Sequence, residues 1–123
     1  MEDRILLMLG ASSDVGIKYI EKYGKNYKKI YAHYNTNDSG LKKLVEEGFD
    51  NIECIQCELL DDSSVEHMLC KINSSCVMPT NIIFLPSRKT QLKKIEETSL
   101  VDIKTDLDLQ IISSSLIVQN CIP

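Results

Sequence analysis

Four short apolar runs punctuate the chain, and amphipathic segments of helical period separate them. Residues 5–9 read ILLML, a continuous run of strand length that stops at Gly10. An unbroken apolar run suits a strand covered on both faces, as in a parallel sheet. After GASSDVG at 10–16, Val15, Tyr19, Ile20 and Tyr23 recur at helical spacing, and the pattern ends near Gly24. KIYAHY at 29–34 predicts a second strand, closed by the polar turn NTNDSG. Ser39 is placed to cap a short helix through LKKLVEE, with Gly48 at its C′ position. NIECIQCEL at 51–59 predicts a third strand, and Asp61 and Asp62 lead into a helix from 63 to about 72. NIIFL at 81–85 predicts a fourth strand, broken by Pro86. After a basic, polar loop, Ser99 starts a long amphipathic helix that runs nearly to Pro123.

Strand and helix therefore alternate four times, which predicts an α/β fold with parallel strands joined by helical crossovers. No repeat, low-complexity segment or linker divides the 123 residues, so one domain spanning 1–123 is expected. In the last helix, Leu100, Ile103, Leu107, Ile111, Ser114, Val118 and Ile122 form a stripe that could cover the sheet. Leu109, Ile112 and Leu116 form a second apolar stripe on a different face. A helix apolar on two sides is buried on two sides, so further chain or a partner subunit is expected on the second. A homo-oligomer through the 100–122 helix follows as an expectation.

The formal net charge is −4, which favours solubility and argues against a nucleic-acid surface. No apolar run approaches the roughly 20 residues that span a bilayer, so no membrane contact is expected. The opening MEDRILLMLG begins with acids and is already strand-like, unlike a secretory signal. Five cysteines without such a signal fit reduced thiols and a cytoplasmic location. Cys54-x-x-Cys57 lies on a predicted strand, where positions three apart face opposite ways, and no histidine nearby completes a metal site. Core packing explains that pair, and no metal is expected. His33 on a strand and His67 on a helix lack any acid–nucleophile set. Arg88, Lys89, Lys93 and Lys94 form a positive cluster read as solvated loop, with an anionic substrate as the alternative contact, and Asp106 and Asp108 read as exposed charges.

Chemistry concentrates in Gly10-Ala11-Ser12-Ser13-Asp14-Val15-Gly16, between the first strand and the first helix. In such a unit glycines let the backbone turn tightly and approach a pyrophosphate, which rests on the helix N-terminus. GASSDVG resembles the glycine-rich loop of the short-chain dehydrogenases/reductases, G-x-x-x-G-x-G, with Asp14 in place of the middle glycine. Cys57-Glu58-Leu59 is similar to the family's Asp-Leu/Val after the third strand, whose acid holds the adenine amino group. Phe84-Leu85-Pro86-Ser87 falls where the family has Asn-Asn-Ala-Gly, and the stretch from Leu100 to Pro123 resembles its long interface helix. The resemblance covers nearly the whole chain. It implies a Rossmann-like three-layer αβα domain with a parallel sheet in strand order 3-2-1-4, truncated before the later strands.

The resemblance also implies roles. Gly10, Ser12, Ser13, Asp14, Val15 and Gly16 would cradle the diphosphate and adenosine of a nicotinamide dinucleotide. Asn35 and Thr36 would face the adenosine ribose or its phosphate, Glu58 and Leu59 would frame adenine, and Leu85, Pro86 and Ser87 would meet the nicotinamide-side ribose. Gln110 stands where most members have a helix asparagine that organises a catalytic water, one methylene longer. The family's catalytic serine, tyrosine and lysine fall beyond this stretch, and Tyr-x-x-x-Lys does not occur in it. Tyr19, Tyr23 and Tyr27 surround the first helix, where packing accounts for them. The chain is thus expected to be the cofactor-binding half of a longer oxidoreductase, a carbonyl reductase acting on a small carbonyl or alcohol.

An acid closing the second strand would favour NAD. The strand ends in Tyr34-Asn35-Thr36-Asn37 with no acid before Asp38, which leans toward NADP over NAD. Ser13, however, stands where many NADP-using members carry arginine. The alternative is a non-catalytic Rossmann module for nucleotide binding or interaction. A receiver domain would need an acidic pair after the first strand and an aspartate after the third, and neither is there. A P-loop would need G-K-[ST] after the loop, which is also missing.

Overall fold

The computed structural model describes residues 3–88 and 93–122. Four strands, β1 (Ile5–Leu9), β2 (Lys29–Tyr34), β3 (Ile52–Gln56) and β4 (Asn81–Phe84), form one sheet in the order β3-β2-β1-β4. Every neighbouring pair is parallel, as the alternation of elements predicts. β1 lies between two partners and all five of its residues are buried. Its side chains alternate between two cores, which is why the sequence there is apolar without a break. Leu6 and Met8 join Ile20, Ile30, Ala32, Leu41, Leu44 and Phe49 on one face. Ile5, Leu7 and Leu9 join Tyr31, Ile55, Val65, Met68, Ile72, Leu109 and Ile117 on the other.

The first core is roofed by α1 (Asp14–Tyr23) and α2 (Ser39–Glu46), the second by α3 (Asp62–Ser74) and the C-terminal helix. α1 carries its weight on few residues: Gly16 and Ile20 are buried, whereas Val15 is 65% and Tyr23 41% exposed. The Tyr19 and Tyr27 hydroxyls meet at 2.6 Å, and burial together with that bond pushes the Tyr27 phenol up to about 12.

Several boundaries differ from the sequence reading. Ser39 is the first residue of α2 rather than its cap, because the Asn37 side-chain oxygen accepts from both the Ser39 N–H and its hydroxyl. β3 stops at Gln56 instead of 59, although the Cys57 N–H still donates to the Tyr34 carbonyl at 3.0 Å. Beyond it Glu58 folds back, its carboxylate accepting from the Leu60 N–H at 3.0 Å. β4 ends at Phe84, one residue early, while Leu85 N–H continues to the Leu9 carbonyl at 3.0 Å.

The C-terminal helix is the larger correction. It is built from α4 (Leu100–Leu107), a π-helical segment (Asp108–Ser113) and α5 (Ser114–Cys121). Ser99 caps it as expected, in a reciprocal capping box with Asp102. The wider i→i+5 turn breaks the regular 3.6-residue stripe. Leu109, Ser113 and Ile117, four apart, are the buried positions that face the sheet, with Cys121 half-buried. The stripe read from the sequence instead faces outward: Leu100, Ile103, Leu107, Ile111, Val118 and Ile122 are all exposed. Of the second stripe, Leu109 is buried but Ile112 and Leu116 are exposed. Ser113 can sit on the buried face because its hydroxyl donates to the Leu109 carbonyl within the helix. Pro123, the expected end of the helix, lies outside the described residues.

Candidate functional site

The carboxyl ends of β1, β2, β3 and β4 open on a cleft of about 370 Å³. In open parallel sheets, ligands bind at that edge, where strand order switches direction; here the switch falls between β2 and β4 on either side of β1. Gly10 leaves β1 at φ +76°, a left-handed conformation that glycine adopts without strain. A Cβ on it would stand 3.2 Å from the Pro86 nitrogen, so the loops after β1 and β4 meet closely there. Ser13 then caps α1, its hydroxyl accepting from the Gly16 N–H at 3.1 Å. Gly16 is packed beneath the loop, where a Cβ would lie 2.5 Å from the Ala11 carbonyl oxygen. The two glycines do separate jobs: one turns the backbone, the other lets the helix seat against it.

Eight of the residues singled out from the sequence line this cleft: Gly10, Ser12, Ser13, Asn35, Glu58, Leu59, Pro86 and Ser87. Asn35 and Glu58 are joined directly, the amide donating to the carboxylate at 3.0 Å across the ends of β2 and β3. The others stand apart from the lining. Asp14, Val15 and Thr36 are exposed, and Gly16 is buried under the loop. Leu85 packs with the core beneath α1 and α2. Gln110 reaches the site indirectly: its side-chain amide donates to the Pro86 carbonyl at 2.7 Å. That bond ties the π-helical segment to the wall of the cleft.

Five further lining residues, His33, Cys57, Leu60, Arg88 and Leu109, were not singled out as site residues from the sequence. His33 is 3% exposed, and burial pushes its imidazole below the ordinary value, against smaller opposing effects of the Cys57 carbonyl and Glu58. Burial likewise raises the Cys57 thiol, so it is held protonated, with the Ser64 hydroxyl 3.5 Å from its sulfur. This cysteine is core rather than nucleophile. Cys54 and Cys121 are half-buried, while Cys70 and Cys76 are exposed; all five are free thiols. Arg88, read from the sequence as solvated, is held by Asp102 at 3.7 Å and Asp106 at 3.4 Å, and also donates to the Asp102 carbonyl. Lys93 adds a bond to Asp102 at 3.2 Å. Hydrogen bonds from Ser99 and Lys93 keep the Asp102 carboxyl below its usual range. Lys89 lies outside the described residues. Among the described residues no cluster of histidine, cysteine and acidic side chains is placed to hold a metal, and no helix is long and apolar enough to cross a membrane.

The fold is shared with known oxidoreductases. The chain superposes on an NADPH-bound carbonyl reductase from chicken fatty liver with a TM-score of 0.83 at 16% identity, covering 98% of this chain and 48% of that one. A short-chain dehydrogenase from Streptomyces avermitilis matches with a TM-score of 0.83 at 17% identity, over 98% of this chain and 44% of that one. A putative short-chain dehydrogenase/reductase from Burkholderia multivorans with bound NADP matches with a TM-score of 0.78 at 14% identity, over 97% and 52%. In sequence the chain is 25% identical over 122 residues to the uncharacterized oxidoreductase YmfI of Bacillus subtilis (strain 168), covering 98% of this chain and 50% of the relative. No family model matches. The fold is that of the short-chain dehydrogenases/reductases, as the resemblance implied, and the chain spans about half the length of the relatives it matches.

Proposed function

We propose that these 123 residues form one dinucleotide-binding domain, the NAD(P)-binding half of a short-chain-type oxidoreductase that reduces a small carbonyl compound. The observation that carries this reading is the strand–loop–helix at the β1 edge, with Gly10 in the left-handed region and Gly16 allowing no Cβ. Backbone at Gly10, Ser12 and Ser13 and the N-terminus of α1 suit a pyrophosphate, whose charge the helix end favours. Glu58 and Leu59 then form the adenine wall, and Pro86 and Ser87 the opposite one. The bound nicotinamide would supply the hydride chemistry. Residues of this chain bind and orient; Gln110, fixed to Pro86, keeps that wall in place.

Asn35 commits one amide hydrogen to Glu58, which leaves the other, with the Thr36 hydroxyl, to meet the adenosine ribose. With no carboxylate at positions 35 or 36 to repel a 2′-phosphate, NADP(H) is the preferred form. Five free thiols fit a reducing compartment such as the cytoplasm. The test is a fluorescence titration of the complete protein with NADPH and with NADH, followed by a turnover assay on small aldehydes and ketones. Saturable binding, tighter for NADPH, is expected. No binding of either would overturn the reading, and binding without turnover on any carbonyl would assign the protein to a non-catalytic nucleotide-binding module.

A further inference from the structure

Residue 33 holds two successive amides of the glycine-rich loop. The Gly10 N–H donates to His33 Nδ1 at 2.9 Å, and the Ala11 N–H donates to the His33 backbone carbonyl at 2.9 Å. On the far side of the ring, Nε2 lies 2.8 Å from the Cys57 carbonyl oxygen. A backbone N–H only donates and a carbonyl only accepts, so both bonds form in one tautomer alone: neutral, with the proton on Nε2. The imidazole therefore joins the exits of three strands, β1 through Gly10, β2 through its own backbone, and β3 through Cys57. Gly10 begins the pyrophosphate side of the cleft and Cys57 immediately precedes Glu58, which forms the adenine side.

We propose that His33 is the positioning residue for the dinucleotide, fixing the glycine-rich loop and the adenine wall relative to each other through a neutral, Nε2-protonated ring. This rests on the dinucleotide reading above. The Gly10 amide is turned inward and its conformation fixed, so the loop presents Ser12, Ser13 and the first turn of α1 to the ligand. The Cys57 carbonyl is fixed by the same ring, so loss of the imidazole disturbs both ends of the adenosine diphosphate site together. A hydrophobic side chain could fill the volume but could hold neither end.

The test compares the complete wild-type protein with His33→Leu, His33→Asn and His33→Gln. Two readouts are used: amide hydrogen exchange at Gly10 without ligand, and calorimetric binding of ADP-ribose, which carries the diphosphate and adenosine alone. In His33→Leu we expect Gly10 exchange to accelerate and the ADP-ribose Kd to rise, each by about tenfold. His33→Asn, whose side-chain oxygen can stand where Nδ1 stood, should restore Gly10 protection, whereas His33→Gln should not, and neither should regain the wild-type ADP-ribose affinity because each leaves one end unheld. Wild-type exchange or wild-type affinity in a folded His33→Leu overturns the proposal while leaving the dinucleotide reading intact. If His33→Leu does not fold, the Asn and Gln variants decide, and wild-type ADP-ribose affinity in either one overturns it. Failure of the wild type itself to bind ADP-ribose overturns the reading and the proposal together.

Discussion

At Gly16 the smallest possible change is expected to be costly. A methyl there would lie 2.5 Å from the Ala11 carbonyl oxygen and 2.9 Å from its Cα, and both are backbone atoms that cannot swing aside. Gly16→Ala should therefore lower stability by about 1–3 kcal/mol, the usual range for overpacking, read as a shift in the urea midpoint; an unchanged midpoint would show that the loop yields. His33 acts through protons instead. In the folded protein its ring stays neutral below the ordinary value of 6.5, whereas the unfolded chain takes up a proton near that value. Below pH 6.5 the unfolded state then binds more protons, so stability falls as the pH drops toward the lowered folded value, and above 6.5 this contribution is constant. Melting temperature should decline on acidification below pH 6.5, and His33→Asn should flatten the decline. The glycines were readable in the sequence because their spacing between a strand and a helix has one common physical meaning. His33 was not, because a lone histidine in a strand acquires a role only when sheet register brings Gly10 and Cys57 to its two nitrogens.

At the scale of elements, the strands were readable because each apolar run is short and bounded, and β1 and β2 have the limits that their patterns predict. The C-terminal helix was not, because its face is set by a π-helical segment that has no hydrophobic signature of its own. Serine hydroxyls support that segment: Ser114 donates to the Gln110 carbonyl at 2.6 Å, and Ser113 to that of Leu109. Position is set from outside the helix by Gln110 on Pro86 and by Arg88 on α4. Arg88 is the more testable anchor, since it reaches Asp102 and Asp106 from the loop after β4. Arg88→Ala should cost less than about 1 kcal/mol globally, as partly exposed ion pairs usually do. Locally, amide exchange across Leu100–Leu107 should rise while α3 stays protected. Equal exchange in both helices would mean that α4 is held by its capping box alone.

Over the whole molecule, burial is uneven. β1 is sealed on both sides, whereas among the described residues β4 pairs with β1 alone, and its four residues, Asn81 to Phe84, are each half-buried. Beside that edge, Met78, Ile82, Val118, Cys121 and Ile122 line an open apolar hollow of about 650 Å³. The outer faces of the C-terminal helix extend it, with Leu107 51%, Ile111 54% and Ile112 49% exposed. An unpaired apolar strand edge next to exposed aliphatic side chains favours association, since each hides surface that water disfavours. The 123-residue chain on its own is therefore expected to self-associate, giving a scattering mass that is a multiple of 13.9 kDa or grows with concentration. In a longer protein with further strands on β4, the outward face of the helix at Leu107 and Ile111 would remain to pair subunits. Replacing both residues with glutamate separates these two surfaces. If the helix face carries the contact, Leu107→Glu with Ile111→Glu lowers the mass of the complete protein to that of one subunit. If the strand edge carries it, the substitutions leave the mass of the isolated chain unchanged. A monodisperse 13.9 kDa species from the unaltered chain would refute association through either surface.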